Sequence, residues 1–368
     1  MSRPPEVSAR LPDFPWDTIA AARELATAHP GGIVDLSVGT PVDPTPPGVQ
    51  RALCTAADAP GYPTVWGTSA LRAAILDYLR RRCNAVGLDE TGVLPTVGSK
   101  ELVASLPAQL GLGPGQTVLI PQLAYPTYAV GAKLCGASVV VSDSTLTVGP
   151  APVSLVWLNS PGNPTGRVLP VEHLRKVIAW ARERDIVVAA DECYLELGWE
   201  TQPVSVLDPE VNGGSLDNLL AVHSLSKRSN LAGYRAGFVA GDPEIVSELL
   251  EVRKHAGLMM PAPVQAAMCA ALADDDHVAE QRARYLARRA ELRPALERAG
   301  FRIDHSEASL YLWATRDEPG RASVDWLAER GVLVAPGDFY GTAGASHVRV
   351  ALTATDERIA AAVLRLTG

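Results

Sequence analysis

Ser224-Leu225-Ser226-Lys227-Arg228-Ser229-Asn230-Leu231-Ala232-Gly233-Tyr234-Arg235 follows directly on the run Leu219-Leu220-Ala221-Val222-His223. The four apolar residues show no polar alternation, as expected of a strand buried on both faces. Just past the strand's end come Ser224, Ser226 and Lys227, with Arg235 eight residues after the lysine. A lysine set this way is poised to form an imine with a carbonyl compound. Serine and arginine beside it can hold a phosphate.

Similar runs lie upstream. Thr117-Val118-Leu119-Ile120, Leu155-Val156-Trp157-Leu158 and Ile186-Val187-Val188-Ala189-Ala190 all read as buried strands. Between two of them, Leu174, Val177, Ile178 and Ala181 recur at helical spacing within 171–184. This rhythm predicts an α/β sheet, mostly parallel and flanked by helices. Asp242-Pro243 opens a further helix, with Asp as N-cap and Pro in the first turn. After Pro261 and Pro263 the pattern is helical to about Arg298. From Phe301 onward, strand-like pieces at 310–313, 332–334 and 348–350 alternate with helical ones at 324–330 and 356–366. These predict a smaller α+β domain. The expected division is a large domain over 31–280 and a small domain built from both ends, 1–30 and 281–368.

The balance of 33 Lys+Arg against 41 Asp+Glu leaves a formal charge of -8, so neither nucleic acid nor an anionic membrane is an expected partner. Arg80-Arg81-Arg82 and the arginines from Arg282 to Arg293 sit in helix-like sequence and read as solvated helix faces. The five cysteines are odd in number and have no metal spacing, which fits reduced thiols rather than a disulfide framework or a zinc site. The N-terminus lacks an apolar h-region, and no run reaches the length of a membrane span. A cytoplasmic protein is expected.

Each central strand ends in polar residues: Asn159 to Gly166, then Asp191-Glu192-Cys193-Tyr194, then the lysine segment. Ligands of open α/β sheets bind beyond the carboxyl ends of strands, so one shared pocket is expected. An imine-forming lysine with a phosphate holder suits pyridoxal phosphate. The series Asn-Pro-Thr-Gly, Asp-x-x-Tyr, Ser-x-Ser-Lys and a later Arg resembles the fold-type I pyridoxal-phosphate enzymes. Within them it is most similar to the class I/II aminotransferases, over nearly the whole chain.

What the resemblance implies can be stated residue by residue. Lys227 matches the Schiff-base lysine, which also moves the substrate Cα proton. Asp191 matches the carboxylate paired with the pyridine nitrogen, and Asn163 and Tyr194 match the residues that bond the ring's phenolic oxygen. The Asn163-Pro164 peptide is a cis candidate. Ser224, Ser226 and Arg235 match phosphate ligands, and Gly98-Ser99-Lys100 matches the helix start that receives the phosphate. Tyr125 matches the aromatic stacked on the ring. Tyr62 matches a tyrosine that reaches the phosphate of a neighbouring subunit, which makes a homodimer the expected assembly. Arg349 matches the clamp on the substrate α-carboxylate, with Gly39 lining the substrate side together with Asn163.

Ser224 to Phe238, with Asp35-Leu36-Ser37-Val38-Gly39-Thr40-Pro41-Val42-Asp43-Pro44, is similar to bacterial succinyldiaminopimelate aminotransferases. That likeness implies N-succinyl-LL-diaminopimelate with 2-oxoglutarate and glutamate as substrates, in lysine and diaminopimelate synthesis. A general aliphatic or aromatic aminotransferase is the alternative, and a carbon–sulfur lyase on the same fold comes third. A regulator would carry a DNA-binding extension for which the N-terminus is too short. A nicotinamide dehydrogenase would need Gly-x-Gly-x-x-Gly, and Gly111-Leu112-Gly113-Pro114-Gly115 has the wrong spacing. No second arginine for a distal carboxylate stands out.

Overall fold

The computed structural model describes residues 7–149 and 151–368. Seven strands form the main sheet, in the order Val93–Val97, Ala236–Gly241, Leu219–Ser224, Val187–Asp191, Val153–Asn159, Thr117–Ile120, Ser138–Val141. Only Ala236–Gly241 runs antiparallel to its neighbours. The expected mostly parallel sheet is therefore present. Three strands are not read in the sequence: 93–97 and 236–241, where Pro95, Gly237 and Gly241 interrupt the apolar pattern, and the edge strand Ser138–Val141.

Alternation explains why the central runs are apolar throughout. Val156 and Leu158 enter the core on one face, with Ala190, Leu219 and Ala221. Leu155 and Trp157 enter the core on the other, with Ala189, Leu220 and Val222. Successive side chains on a strand point to opposite faces, so a sheet covered on both sides must be apolar at every position.

The helix Val171–Arg182 covers the first face with Leu174, Val177, Ile178 and Ala181. Burying each such Leu, Val or Ile side chain contributes about 1.5–3 kcal/mol. Ser99–Gln109 covers the second face with Leu102, Val103 and Leu106. Pro243–Ala256 is capped by the Asp242 carboxylate, which accepts from the Glu244 N–H at 2.9 Å, and it ends at left-handed Gly257.

A second, four-stranded antiparallel sheet follows the order Ala335–Pro336, His347–Ala351, Tyr311–Thr315, Arg302–Asp304. Its core includes residues from far upstream: Val34 and Leu36 pack with Leu310, Leu333 and Val350. Val34–Asp35 pairs in parallel with Val332–Leu333.

The arginines of the long helix Asp276–Arg298 correct the expectation of a solvated face. Arg288 is buried, donating to both carboxylate oxygens of Asp43 at 2.6 and 2.8 Å and to Asp356 at 2.7 Å. Arg289, also buried, binds Glu200. Their partners lie more than sixty positions away, beyond the reach of any local pattern. All five cysteine thiols are free. Among the described residues no helix is long and apolar enough to cross a membrane.

Candidate active site

Strand register brings the polar ends together. Asn159 pairs with Asp191, and Asp191 with Val222. Ser224 pairs with Gly237, and Val97 with Ala236. The segments carrying Asn163, Asp191, Ser224, Lys227, Arg235 and Gly98 thus leave the sheet side by side.

Asp191 lies at the floor, 6% exposed. Burial pushes its carboxyl above the usual range, and hydrogen bonds from Cys193 and Tyr128 pull part of the way back. The Tyr128 hydroxyl donates to Asp191 Oδ2 at 2.8 Å, and the Cys193 N–H to Oδ1 at 3.2 Å. Tyr128 is itself stacked on Trp157, with centroids 4.8 Å apart. Tyr125 stands edge-on to Tyr128 at 5.8 Å, and burial pushes its hydroxyl up to about 12.

Lys227 ends the short turn Leu225–Arg228 with Arg228, and the turn is capped by Ser224 Oγ, which accepts from the Ser226 N–H at 3.2 Å. Its ammonium donates to the Gly39 carbonyl. Burial lowers the Lys227 pKa, and the nearby Arg349 and Arg235 charges lower it further. An amine so placed is more readily neutral, as a nucleophile and base must be.

Beside the turn, Gly98 holds φ +78° at the entrance to Ser99–Gln109. A Cβ there would lie 2.9 Å from the Arg235 Cζ, so only glycine lets the guanidinium cross the helix start. The first N–H groups of that helix have no intrahelical partner and favour an anion. Ser99 opens that helix beside Arg235, and Ser224 and Ser226 lie at the adjacent strand end. The Lys100 side chain is exposed and leaves this cradle: its ammonium stands 6.0 Å from the Phe14 ring centroid.

Arg349 comes from the second sheet and is only 3% exposed. Its Nη1 donates to Asn163 Oδ1 at 2.8 Å and its Nη2 to the Ser37 carbonyl at 2.7 Å. Its Nε is buried without a partner among the described residues. The guanidinium lies 4.0 Å over the Tyr311 ring and 4.9 Å over Tyr340. Tyr311 also joins its hydroxyl to that of Tyr194 at 2.9 Å. Burial raises the Tyr194 pKa, and Tyr311 beside it adds to the rise. A Cβ on Gly39 would come within 2.8 Å of the Tyr311 ring, which explains glycine there.

Two side chains went unassigned in the sequence. Tyr128 gave no signal beyond an aromatic two residues after a proline. Tyr311 lies in a strand whose every residue is buried, so no alternation singles it out. The Asn163-Pro164 peptide is cis, and so is Ser160-Pro161. Asn159 organises that loop, accepting the Asn163 N–H at 2.7 Å and donating to the Asp191 carbonyl at 2.9 Å. Tyr62 stands apart from all of these at 98% exposed.

Pyridoxal phosphate fits this donor set. An amine able to form an imine, a buried carboxylate, a glycine-opened helix start and an unpartnered guanidinium nitrogen stand on neighbouring strand ends and the docked second sheet.

Residues 32–366 match the family described as aminotransferase class I and II. A Mycobacterium tuberculosis protein named "Probable aminotransferase Rv1178" is 64% identical, covering 98% of this chain and 86% of its own. The 4-dedimethylamino-4-oxo-anhydrotetracycline transaminase OxyQ of Streptomyces rimosus is 60% identical, covering 97% and 99%. An LL-diaminopimelate aminotransferase of Dehalococcoides mccartyi is 30% identical, covering 99% and 98%. Among solved structures, substrate-bound BacF from Bacillus subtilis superposes with a TM-score of 0.88 at 27% identity, over 100% and 98% of the two chains.

Proposed function

The chain belongs to the class I and II aminotransferases and is a pyridoxal-phosphate-dependent transaminase; from that premise we propose how its residues divide the work and what they act on. One observation carries the reading. Lys227 bonds the Gly39 carbonyl and Arg349 bonds the Ser37 carbonyl, two residues along one segment. Amine and clamp therefore converge on the short segment from Ser37 to Gly39, where an α-amino acid held by its carboxylate would lie beside a base.

The cofactor, when bound, supplies an electron-withdrawing ring that stabilises negative charge at the substrate Cα. Arg349 holds the α-carboxylate, exchanging its Ser37 bond for a two-point grip through Nη2 and the unpartnered Nε. Lys227, with its pKa lowered, takes the proton from Cα and later gives it back, as base and then acid. Asp191, whose carboxylate form Tyr128 and Cys193 favour by hydrogen bonds against the rise from burial, would pair with the ring nitrogen and favour its protonated form. Tyr194 and Asn163 would hold the ring's oxygen. Gly98, Ser99, the Lys100 backbone, Ser224, Ser226 and Arg235 would take the phosphate.

We read the substrate as N-succinyl-LL-diaminopimelate, exchanged with 2-oxoglutarate and glutamate. The wording of the lysine segment and the diaminopimelate aminotransferase relative support this. The second reading is a large ring ketone as amino acceptor, favoured by the 60% identical relative and its printed substrate. A homodimer completes the site, with the fully exposed Tyr62 reaching the partner's phosphate cradle.

A half-reaction screen tests the substrate. The holoenzyme is mixed with N-succinyl-LL-diaminopimelate, glutamate or aromatic amino acids, and bleaching of the bound cofactor is followed. Rapid bleaching by the first two is expected. Bleaching by aromatic amino acids alone would overturn the first reading.

A further inference from the structure

Three cradle residues have a sequence neighbour that faces away from the cradle. Asp191 is followed by Glu192, Ser224 is preceded by His223, and Lys227 is followed by Arg228. Glu192, His223 and Arg228 are all buried and line one small cavity, beside Tyr78 and Glu196. His223 Nε2 stands 3.4 Å from Glu192 Oε2. Neither lysine chemistry nor phosphate binding uses any of the three.

Arg228 is the anchor of this layer. At 4% exposed, its Nε lies 3.9 Å from Glu196 Oε1 and its Nη2 3.9 Å from Asp275 Oδ1. The guanidinium lies 4.8 Å from the centre of the Tyr78 ring, and Nη1 donates to the Ala271 carbonyl at 3.4 Å. Glu196 and Asp275 are held in turn by Arg82 and Arg81, at the end of helix Ser69–Cys83. Ala271 belongs to helix Ala262–Ala273. The turn carrying Lys227 is a single helical turn of four residues. A turn of that length does not hold itself. Burying a guanidinium costs several kcal/mol unless charges offset it; here two carboxylates stand 3.9 Å away, while Nε and Nη2 have no hydrogen-bond partner among the described residues.

We propose that Arg228 is a positioning residue for Lys227. By tying the Leu225–Arg228 turn to two helices on the far side, it fixes the direction in which the amine projects toward Gly39 and the substrate Cα. This rests on the reading of Lys227 as the reacting amine. A misplacement of about 1 Å at a reacting group costs on the order of 100-fold in rate.

The test compares wild-type, Arg228→Met and Arg228→Lys holoenzymes. Bleaching by L-glutamate and L-phenylalanine is measured over a range of concentrations, together with visible circular dichroism of the bound cofactor and Tm. Arg228→Met is expected to slow the maximal bleaching rate roughly 10- to 100-fold, with half-saturation changed by less than about threefold. Its visible dichroism should weaken, and Arg228→Lys should restore most of both. A wild-type rate and dichroism in Arg228→Met would overturn the proposal, whatever its Tm. So would a change in half-saturation alone, which points to the carboxylate clamp. If Arg228→Met yields no folded protein, Glu196→Gln should give the same pattern at a few-fold size, and an unchanged pattern would overturn it. Borohydride reduction and peptide mapping keep the two readings separable. A label on another lysine defeats the assignment of Lys227 rather than that of its anchor.

Discussion

The proposed cofactor cradle and the proposed carboxylate clamp meet at Lys227 but are built in opposite ways. The cradle comes from adjacent strand ends of one sheet, where register aligns Asn159, Asp191 and Val222, two residues before Ser224. The clamp joins Arg349 to Asn163 and Ser37, across 186 and 312 positions. Backbone pairing fixes the first before any ligand arrives. The second depends on two sheets docking, so side-chain bonds from Arg349 hold it. A site can thus have a rigid half for a resident group and an adjustable half for substrates that come and go.

Four substitutions probe that contrast. Lys227→Ala acts where the halves meet. Turnover should fall on the order of 10⁴-fold or more, with loss of the lysine-bound cofactor's visible absorbance. Near-normal activity would remove the meeting point altogether.

Arg349→Lys acts on the clamp alone. Losing two-point geometry removes about 1.5–3 kcal/mol, so the amino-acid KM should rise roughly 10- to 100-fold. Cofactor affinity should stay unchanged. An equal loss of cofactor would mean the halves are one unit.

Gly98→Ala acts on the cradle alone. The methyl group forces a strained φ and displaces Arg235, so cofactor affinity measured by fluorescence quenching should fall about tenfold. Amino-acid half-saturation of the loaded enzyme should hold. A shift in it would weaken the contrast.

Glu192→Gln gives the smallest effect and tests the sheet end beneath the cradle. Burial pushes the Glu192 carboxyl up to about 7, against hydrogen bonds from Ser205 and the Val206 N–H. A pKa raised on folding stabilises below the unfolded value and loses that contribution as pH rises through the folded one. The wild-type Tm should therefore drop by a few degrees between about pH 5 and pH 8, and the variant's by less. Equal slopes in thermal melts would show that the buried carboxyl does not titrate there.

The same contrast explains how far the sequence could be read. Four central parallel strands, the helix Val171–Arg182 and the capped helix at Asp242 were legible because each carries its own apolar run, period or cap. The antiparallel pair 93–97 and 236–241 was not, since proline and glycine break its pattern, nor was the edge strand Ser138–Val141. In the site, the polar clusters after each strand pointed to Asp191, Asn163 and Lys227. Tyr128 and Tyr311 stayed hidden because a buried tyrosine in a core segment looks like any core aromatic. Arg288 and Arg289 were misread for a related reason: a helix shows which residues share a face, not what will cover it.

The sequence by itself determined which chemical groups stand at the strand ends, because apolar runs of fixed length must be buried and their polar ends must emerge. It also carried the family likeness from Gly39 to Arg349. Only the tertiary structure decided which groups touch. Docking of the second sheet brought Arg349 over Tyr311 and onto Asn163, and helix packing closed Tyr78, Glu196 and Arg228 into one buried layer. Those contacts join residues far apart in the chain, and their energy comes from desolvation and charge geometry that no local pattern records.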